Sequence, residues 1–240
     1  MIESTLVSVD VLVLRFDPDA RAVLLGVAPR ALDPFAGALA LPGVLLGRGE
    51  RLREATRRAV TGKLGVPDAA VTATGQLATF DEPSRDPRGP TLSIALWATV
   101  APTRPDDGTT TWTPLDAVPP LAFDHDRIIT DCRPLLADKL WRDPQFTAGL
   151  LGGEFTTAQA LDVTESLTGD RPYPANLGRT MDRVPGLERT AQHAAALPKG
   201  GRPPLVWRWT SPTTGSPRDD NARSDSSVVA AGAAVHRRRS

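Results

Sequence analysis

The stretch LPGVLLGRGERLREATRRAVTGKLGV, residues 41 to 66, constrains the fold of this chain more than any other. A Leu-Pro-Gly strand end runs into a glycine-rich loop, then Glu50, then a helix that ends in Leu-Gly-Val. That frame suits a metal and phosphate site, where a mobile backbone turn is followed by carboxylates carried on a helix. The positions where those acids should cluster instead hold Ala59, Gly62 and Lys63.

The surrounding pattern is one of strands and helices through residue 140. VSVDVLVLRF and AVLLGV are Val/Leu-rich strands joined across the turn Asp17-Pro18-Asp19, and Leu39 to Leu41 is a short strand. Glu50 to Leu64 has no proline and sets Leu52, Ala55, Ala59 and Leu64 near one helical face. VTATGQLATF and TLSIALWATV are two more strands, separated by the polar loop DEPSRDPRGP. Residues 124 to 140 form a second helix, which Pro134 is expected to bend. The sum is a mixed α/β sandwich over residues 1–140, not a run of regular βαβ units.

Residues 141–153 lapse into Pro- and Gly-containing sequence and read as a linker. A smaller unit, 154–210, follows. Thr156 can cap a helix carrying Ala160, Val163 and Leu167 that ends at Gly169. Pro174 opens another helix, expected to reach Val184, and LERT and PPLVWRWT are short strands. Helix, turn, helix and a basic hairpin is the layout of a winged helix-turn-helix. The tail, 211–240, has no large apolar residue to anchor it and is expected to be disordered; its terminal HRRRS is at most a weak source of DNA attraction.

Charge separates the two units. The whole chain balances 28 Lys and Arg against 28 Asp and Glu, so net charge names no partner. Residues 171 to 210 hold seven bases against two acids, a net +5 that suits either a polyanion partner or a solvated basic face. Cys132 is the only cysteine, which excludes an internal disulfide and fits a reducing compartment. No apolar run has the roughly 20 residues needed to cross a bilayer, and the N-terminus lacks a secretory signal, so a cytoplasmic protein is expected.

Residues 41 to 66 resemble the Nudix box. Laid on its frame, the first glycine is Val44, the first glutamate Glu50 and the arginine Arg58. The next glutamate is Ala59, the Glu-Glu pair is Gly62-Lys63, and Gly65 and Val66 fall in place. In Nudix enzymes these carboxylates hold divalent cations against a diphosphate and activate water, a task that needs several hard oxygen ligands. With three of four acids gone, the resemblance implies a Nudix fold without catalytic residues, metal or cofactor. Gly62 also weakens its helix by about 1 kcal/mol relative to Ala. The loop FDEPSRDPRG offers Arg85, Asp86 and Arg88, whose guanidinium groups can clamp a pyrophosphate or pair with the neighbouring acid.

The two units together resemble the Nudix-related transcriptional regulators of NAD metabolism, over about residues 5 to 210. The damaged box, TFDEPSRDPRG, LAFDHDRIITD, EFTTAQALDVTESLTGDRPYPANLGRTM and GRPPLVWRW carry that likeness. It implies a Nudix-type α/β/α sandwich with a mixed sheet, followed by a small winged helix-turn-helix, in a homodimer on a palindromic double-stranded DNA operator. The sensed effector would be ADP-ribose or a related nucleotide, bound by Glu50, Arg58, Arg85, Asp86 and Arg88. The second helix of the motif would enter the major groove with Asn176, Arg179, Thr180 and Arg183, while Lys199 and Arg202 grip phosphates. Gly178 interrupts what is usually a denser basic run in that family.

Other readings stay open. An active hydrolase would have to recruit Asp81, Glu82 or Asp86 as ligands, and a scaffold would use the winged helix on protein. Arg183 can cap a helix C-terminus, Trp207 and Trp209 share a face with Leu205 as wing core, and His125 is expected to be structural. A regulator also needs its two sites coupled, and residues 141–153 are the expected hinge.

Overall fold

The computed structural model describes residues 5 to 101, 110 to 193 and 205 to 210. The tail expected to be disordered, and Lys199 and Arg202, lie outside the described residues.

The large domain is built outward from β1 (Leu6–Asp17). Along it Val9, Val11 and Val13 alternate with Leu12, Leu14 and Phe16, and both sets are buried. A strand covered on both faces reads as one apolar run, which is why VSVDVLVLRF is recognisable without clean alternation. β2 (Ala22–Pro29) pairs antiparallel on one side. β6 (Thr91–Val100) pairs parallel on the other, from Leu6 opposite Thr91 to Leu14 opposite Thr99, and β5 (Val71–Phe80) lies antiparallel beyond it. Three short strands complete the mixed sheet: β3 (Leu39–Ala40) and β7 (Thr111–Pro114) on β2, and β4 (Gly43–Leu45) on β1.

Each face of the sheet carries a helix. On one side, α1 (Leu52–Leu64) packs Ala55, Ala59, Val60 and Leu64 against Val9, Val11, Val13 and Leu96. It stops at Gly65, whose φ of 63° is the left-handed cap that glycine adopts without a Cβ penalty. On the other side, α2 (His125–Lys139) packs Ile128, Ile129, Cys132 and Leu136 against Leu12, Leu14 and Leu25, and runs on through Pro134. Burial pushes the Cys132 thiol up to about 12, so it serves as a small apolar side chain. The result is an α/β/α sandwich.

The expected linker is corrected by the structure: it contains α3 (Pro144–Leu151). Asp143 caps it by accepting from the N–H groups of Gln145 and Phe146, and Pro144 takes the first helical position, where its missing N–H costs nothing. Phe146 is fully buried and meets Trp97 edge-on at 5.0 Å. Burying such a ring stabilises the fold by roughly 1.5–3 kcal/mol, enough to hold a helix of this length in place.

The small domain comprises β8 (Glu154–Thr156), α4 (Thr157–Thr168), α5 (Pro174–Met181), β9 (Leu187–His193) and β10 (Leu205–Trp209). The three strands form an antiparallel sheet in the order β8-β10-β9. Thr156 and Gln159 cap α4 reciprocally, and Gly169 ends it with φ 83°. α5 is shorter than expected: it ends at Met181, where Arg183 and Val184 turn back to donate to the Thr180 and Met181 carbonyls. Trp207 and Trp209 are buried wing core.

One apolar cluster runs through both domains, from Leu12 and Leu25 through Leu136 and Phe146 to Leu161, Met181 and Trp207. Among the described residues no helix is long and apolar enough to cross a membrane.

Candidate functional site

The loop between β4 and α1 is held by the last acid of the box. Glu50 Oε1 accepts from Arg58 Nε at 2.8 Å, and its Oε2 accepts from Arg58 Nη2 at 2.8 Å and from the Gly47 N–H at 2.7 Å. Arg58 Nη2 also donates to the Leu45 carbonyl. The Arg58 hydrogen bonds, helped by the Gly47 N–H, lower the Glu50 pKa to about 2. Ala59 faces the sheet and is fully buried, while Gly62 and Lys63 look outward.

Arg58, Gly62 and Lys63 line a cavity of ≈ 760 Å³ that reaches Arg30, Arg85, Asp86 and Arg88. Four of the five residues expected to bind ligand, Arg58, Arg85, Asp86 and Arg88, therefore meet in one cavity, with Glu50 just behind its wall. Their side chains are differently engaged. Arg85 is 4% exposed and forks onto Asp124 at 3.1 and 2.7 Å, with Asp10 Oδ2 at 3.5 Å and Ser8 Oγ at 3.4 Å. It fastens its loop to the start of α2 and does not offer an open fork to a pyrophosphate. Arg88 grips the buried Asp86 through Nε and Nη2 but remains half exposed on the cavity. That hydrogen bond holds the Asp86 carboxyl below its ordinary range, against burial, which acts in the opposite direction.

The floor of the cavity is polar and closed. Buried Asp10 accepts from Ser93 Oγ at 2.5 Å and from Ser8 Oγ at 3.2 Å. His125 Nδ1 accepts the Leu41 N–H at 3.0 Å, so its proton sits on Nε2, 3.7 Å from Asp10 Oδ1. Burial, opposed by Asp10, pushes the His125 pKa down and keeps the ring neutral, which fits the structural role expected of it. At one side Phe123, with φ 58°, carries the Arg30 guanidinium 4.5 Å above its ring and meets Phe35 edge-on at 4.9 Å. Burial, and then the nearby Arg88 charge, lower the Arg30 pKa, against the opposing pull of Asp86, Asp10 and Asp33. Sequence reasoning did not single out Asp10, Arg30 or Phe123. An acid set inside the apolar run VSVDVLVL was a usable signal for Asp10; the Arg30–Phe123 stack depends on loop conformation and had none.

On the small domain, Asn176, Arg179 and Thr180 share the exposed side of α5, and Leu177, Gly178 and Met181 face inward. Arg179 Nη2 donates to Asn176 Oδ1 at 3.1 Å. Gly178 lies on the buried side, where an added Cβ would meet Arg189 Nη2 at 3.5 Å, so it does not interrupt the exposed row. Exposed Arg183 follows in the turn. Much of the basic excess is matched locally: Arg171 pairs with Asp162 and Glu165, Arg189 with Asp182, and Arg208 with Glu154. Among the described bases of that segment, Arg179 and Arg183 meet no acid. Tyr173, at the start of α5, is 80% exposed.

No family model matches the chain. It is 33% identical over 106 residues to an ADP-ribose pyrophosphatase of Methanocaldococcus jannaschii, a match covering 42% of this chain and 61% of that protein's length. The structure of Shewanella oneidensis NrtR superposes with a TM-score of 0.68 at 25% identity, over 88% of this chain and 96% of NrtR. NrtR complexed with a 27mer DNA gives 0.69 at 24% identity, over 85% and 93%. A MutT/nudix family protein from Enterococcus faecalis gives 0.66 at 22%, over 88% and 90%. The large domain has the Nudix-type fold. The small C-terminal domain, with its three-stranded antiparallel sheet, falls within the same superposition on full-length NrtR.

The Nudix-type fold implies divalent cations held by the helix carboxylates, and the residues here do not fit them. Ala59 is enclosed, Gly62 has no side chain, Lys63 has the wrong sign, and both oxygens of Glu50 are taken by Arg58 and Gly47. Of the acids nearby, Glu82 faces Arg127 at 2.5 Å and Asp86 faces Arg88 at 2.6 Å. Among the described residues no group of three or more His, Cys, Asp or Glu side chains could hold a metal ion.

Proposed function

We propose that this chain is a DNA-binding transcriptional regulator whose Nudix-type domain senses ADP-ribose or a related nucleotide and does not hydrolyse it. The observation that carries this reading is that one chain joins a cavity rimmed by cations, where the metal-binding acids should be, to a small domain exposing Asn176, Arg179 and Thr180 along one helix. Asn and Arg pair bidentately with adenine and guanine edges, and a two-fold dimer sets two such helices one DNA turn apart on a palindrome. The superposition on full-length NrtR supports the two-domain part of this reading. Control of NAD-metabolism genes from the cytoplasm as a homodimer is part of the same proposal and rests on the family resemblance.

The test is a selection of genomic fragments by the full chain with and without ADP-ribose, beside a hydrolysis assay with Mg²⁺. Enrichment of a palindromic site that changes with ADP-ribose, without turnover, is the expected result. A second reading, an active Nudix hydrolase of a nucleoside diphosphate derivative, is favoured by the likeness to the ADP-ribose pyrophosphatase of Methanocaldococcus jannaschii. Turnover without DNA enrichment would establish it instead.

A further inference from the structure

We propose that Lys63, which stands where a Nudix box carries a metal-binding acid, and Arg58, which lines the same cavity, bind the diphosphate of the nucleotide directly, so that this site needs no divalent cation. The inference rests on the nucleotide-sensing reading above and specifies how the effector is held.

The charge of the cavity points this way. Two of its guanidinium groups are matched by carboxylates, Arg85 by Asp124 and Asp10 and Arg88 by Asp86, and Arg58 shares its charge with Glu50. Lys63 and Arg30 are left. Lys63 is exposed and, among the described residues, forms no hydrogen bond or ion pair. Arg30 is held in place by the Pro34 and Leu32 carbonyls, which orient its guanidinium without neutralising it. An anion entering the cavity therefore meets a cation from the last turn of α1 that is unpaired among the described residues. From the end of β2 it meets a second that forms no ion pair there, although Asp86, Asp10 and Asp33 offset part of its charge.

The substitution is an inversion and not merely a loss. In a metal-using box, acids recruit cations that then bind phosphate oxygens. Here the acids are absent and the cation is covalent. Gly62 beside Lys63 leaves open space, with nothing within 4 Å of where a Cβ would stand, so phosphate oxygens can approach the helix surface. Arg58, fixed by Glu50 and still half exposed, supplies a second donor a turn and a half away on the same helix. A purely structural role for Lys63, as a cation near the C-terminus of α1, predicts an effect on helix stability and none on ligand affinity.

The experiment is calorimetric titration of the full chain with ADP-ribose and with ADP, in EDTA and in excess Mg²⁺. Equal affinity in both conditions is expected. Lys63→Ala should weaken binding at least about tenfold, equivalent to about 1.4 kcal/mol, with little change in thermal melting, and Lys63→Arg should restore most of it. The double variant Gly62→Glu/Lys63→Glu should bind weakly in EDTA and regain affinity only with Mg²⁺. Wild-type binding that requires Mg²⁺, or a Lys63→Ala variant of unchanged affinity, overturns the inference and leaves the nucleotide reading intact. Failure of both nucleotides to bind in either condition overturns that reading and this inference with it.

Discussion

Glu50 shows how a residue can keep its place in a motif and change its work. Its carboxylate is committed to Arg58 and to the Gly47 N–H, and its pKa falls to about 2 from an ordinary value near 4.5. Because the folded value is the lower one, the pair contributes stability above pH of about 4.5 and loses it as pH falls toward 2. The stability difference between wild type and Glu50→Gln, followed by urea unfolding at a series of pH values, should therefore shrink across that window. A constant difference would mean that the carboxylate charge is not what holds the loop. Arg85 presents the opposite case, a buried fork whose removal strands Asp10 and Asp124. Arg85→Ala should cost about 3–5 kcal/mol, whereas Arg127→Ala, which breaks an exposed pair, should cost less than about 1 kcal/mol. Arg58, Arg85, Asp86 and Arg88 could be named from sequence, and the outward direction of Lys63 follows from the period of α1. Asp10 and Arg30 were not singled out, and the inward turn of Arg85 depends on how its loop closes.

At the level of elements, what decided legibility was length and burial. The long strands β1, β2 and β6 stand out because burial makes them near-continuous apolar runs, and β5, mostly part-exposed, by its β-branched residues between turn signals. β4 and β7, three and four residues long, are too short to show a period. α3 was masked by Gly149 and by the Gly152-Gly153 pair that follows it, although Asp143-Pro144 followed by Phe146, Leu150 and Leu151 is a helix start with an apolar face. The glycine has a reason: a Cβ on Gly149 would stand 2.1 Å from Thr99 Oγ1, so α3 reaches β6 only because residue 149 has no side chain. Helix propensity alone says that replacing Gly62 or Gly149 with alanine stabilises the protein. Space says otherwise for one of them. Gly62→Ala, in open solvent, should raise stability by about 0.5–1 kcal/mol, and Gly149→Ala should lower it, both read by thermal melting. A rise for both would show that α3 sits less closely on the sheet.

Across the whole molecule, the two domains share a core and a set of polar ties, and the segment 141–153, expected as a hinge, carries α3 between them. Buried Asp162 of α4 accepts Arg21 from the β1–β2 turn at 3.1 and 3.0 Å and Arg171 from the segment before α5 at 2.8 Å. Burial would raise the Asp162 pKa, but the two arginines outweigh it and hold the carboxyl below its usual range. Arg133 of α2 donates to the Ser166 and Leu167 carbonyls of α4, and Trp141 Nε1 donates to Thr164. α2 itself begins at Asp124 and His125 on the cavity. Cavity, α2, α4 and α5 thus form one packed series, the natural route for a coupling of the 1–3 kcal/mol typical between two sites. Asp162→Ala should reduce the effect of ADP-ribose on DNA affinity, measured by fluorescence anisotropy, more than it reduces ADP-ribose affinity itself. The winged helix-turn-helix layout was legible from caps and helix stops; the ties between domains join residues up to 143 positions apart and left no local trace.

Under the proposed function, ligand and DNA are read by different faces of this molecule. Paired titrations of Arg179→Ala test it most directly, one with ADP-ribose and one with the DNA fragment selected by the wild-type chain. Loss of specific DNA binding with unchanged ADP-ribose affinity is the predicted result. Equal loss of both would contradict the division of labour between the cavity and α5.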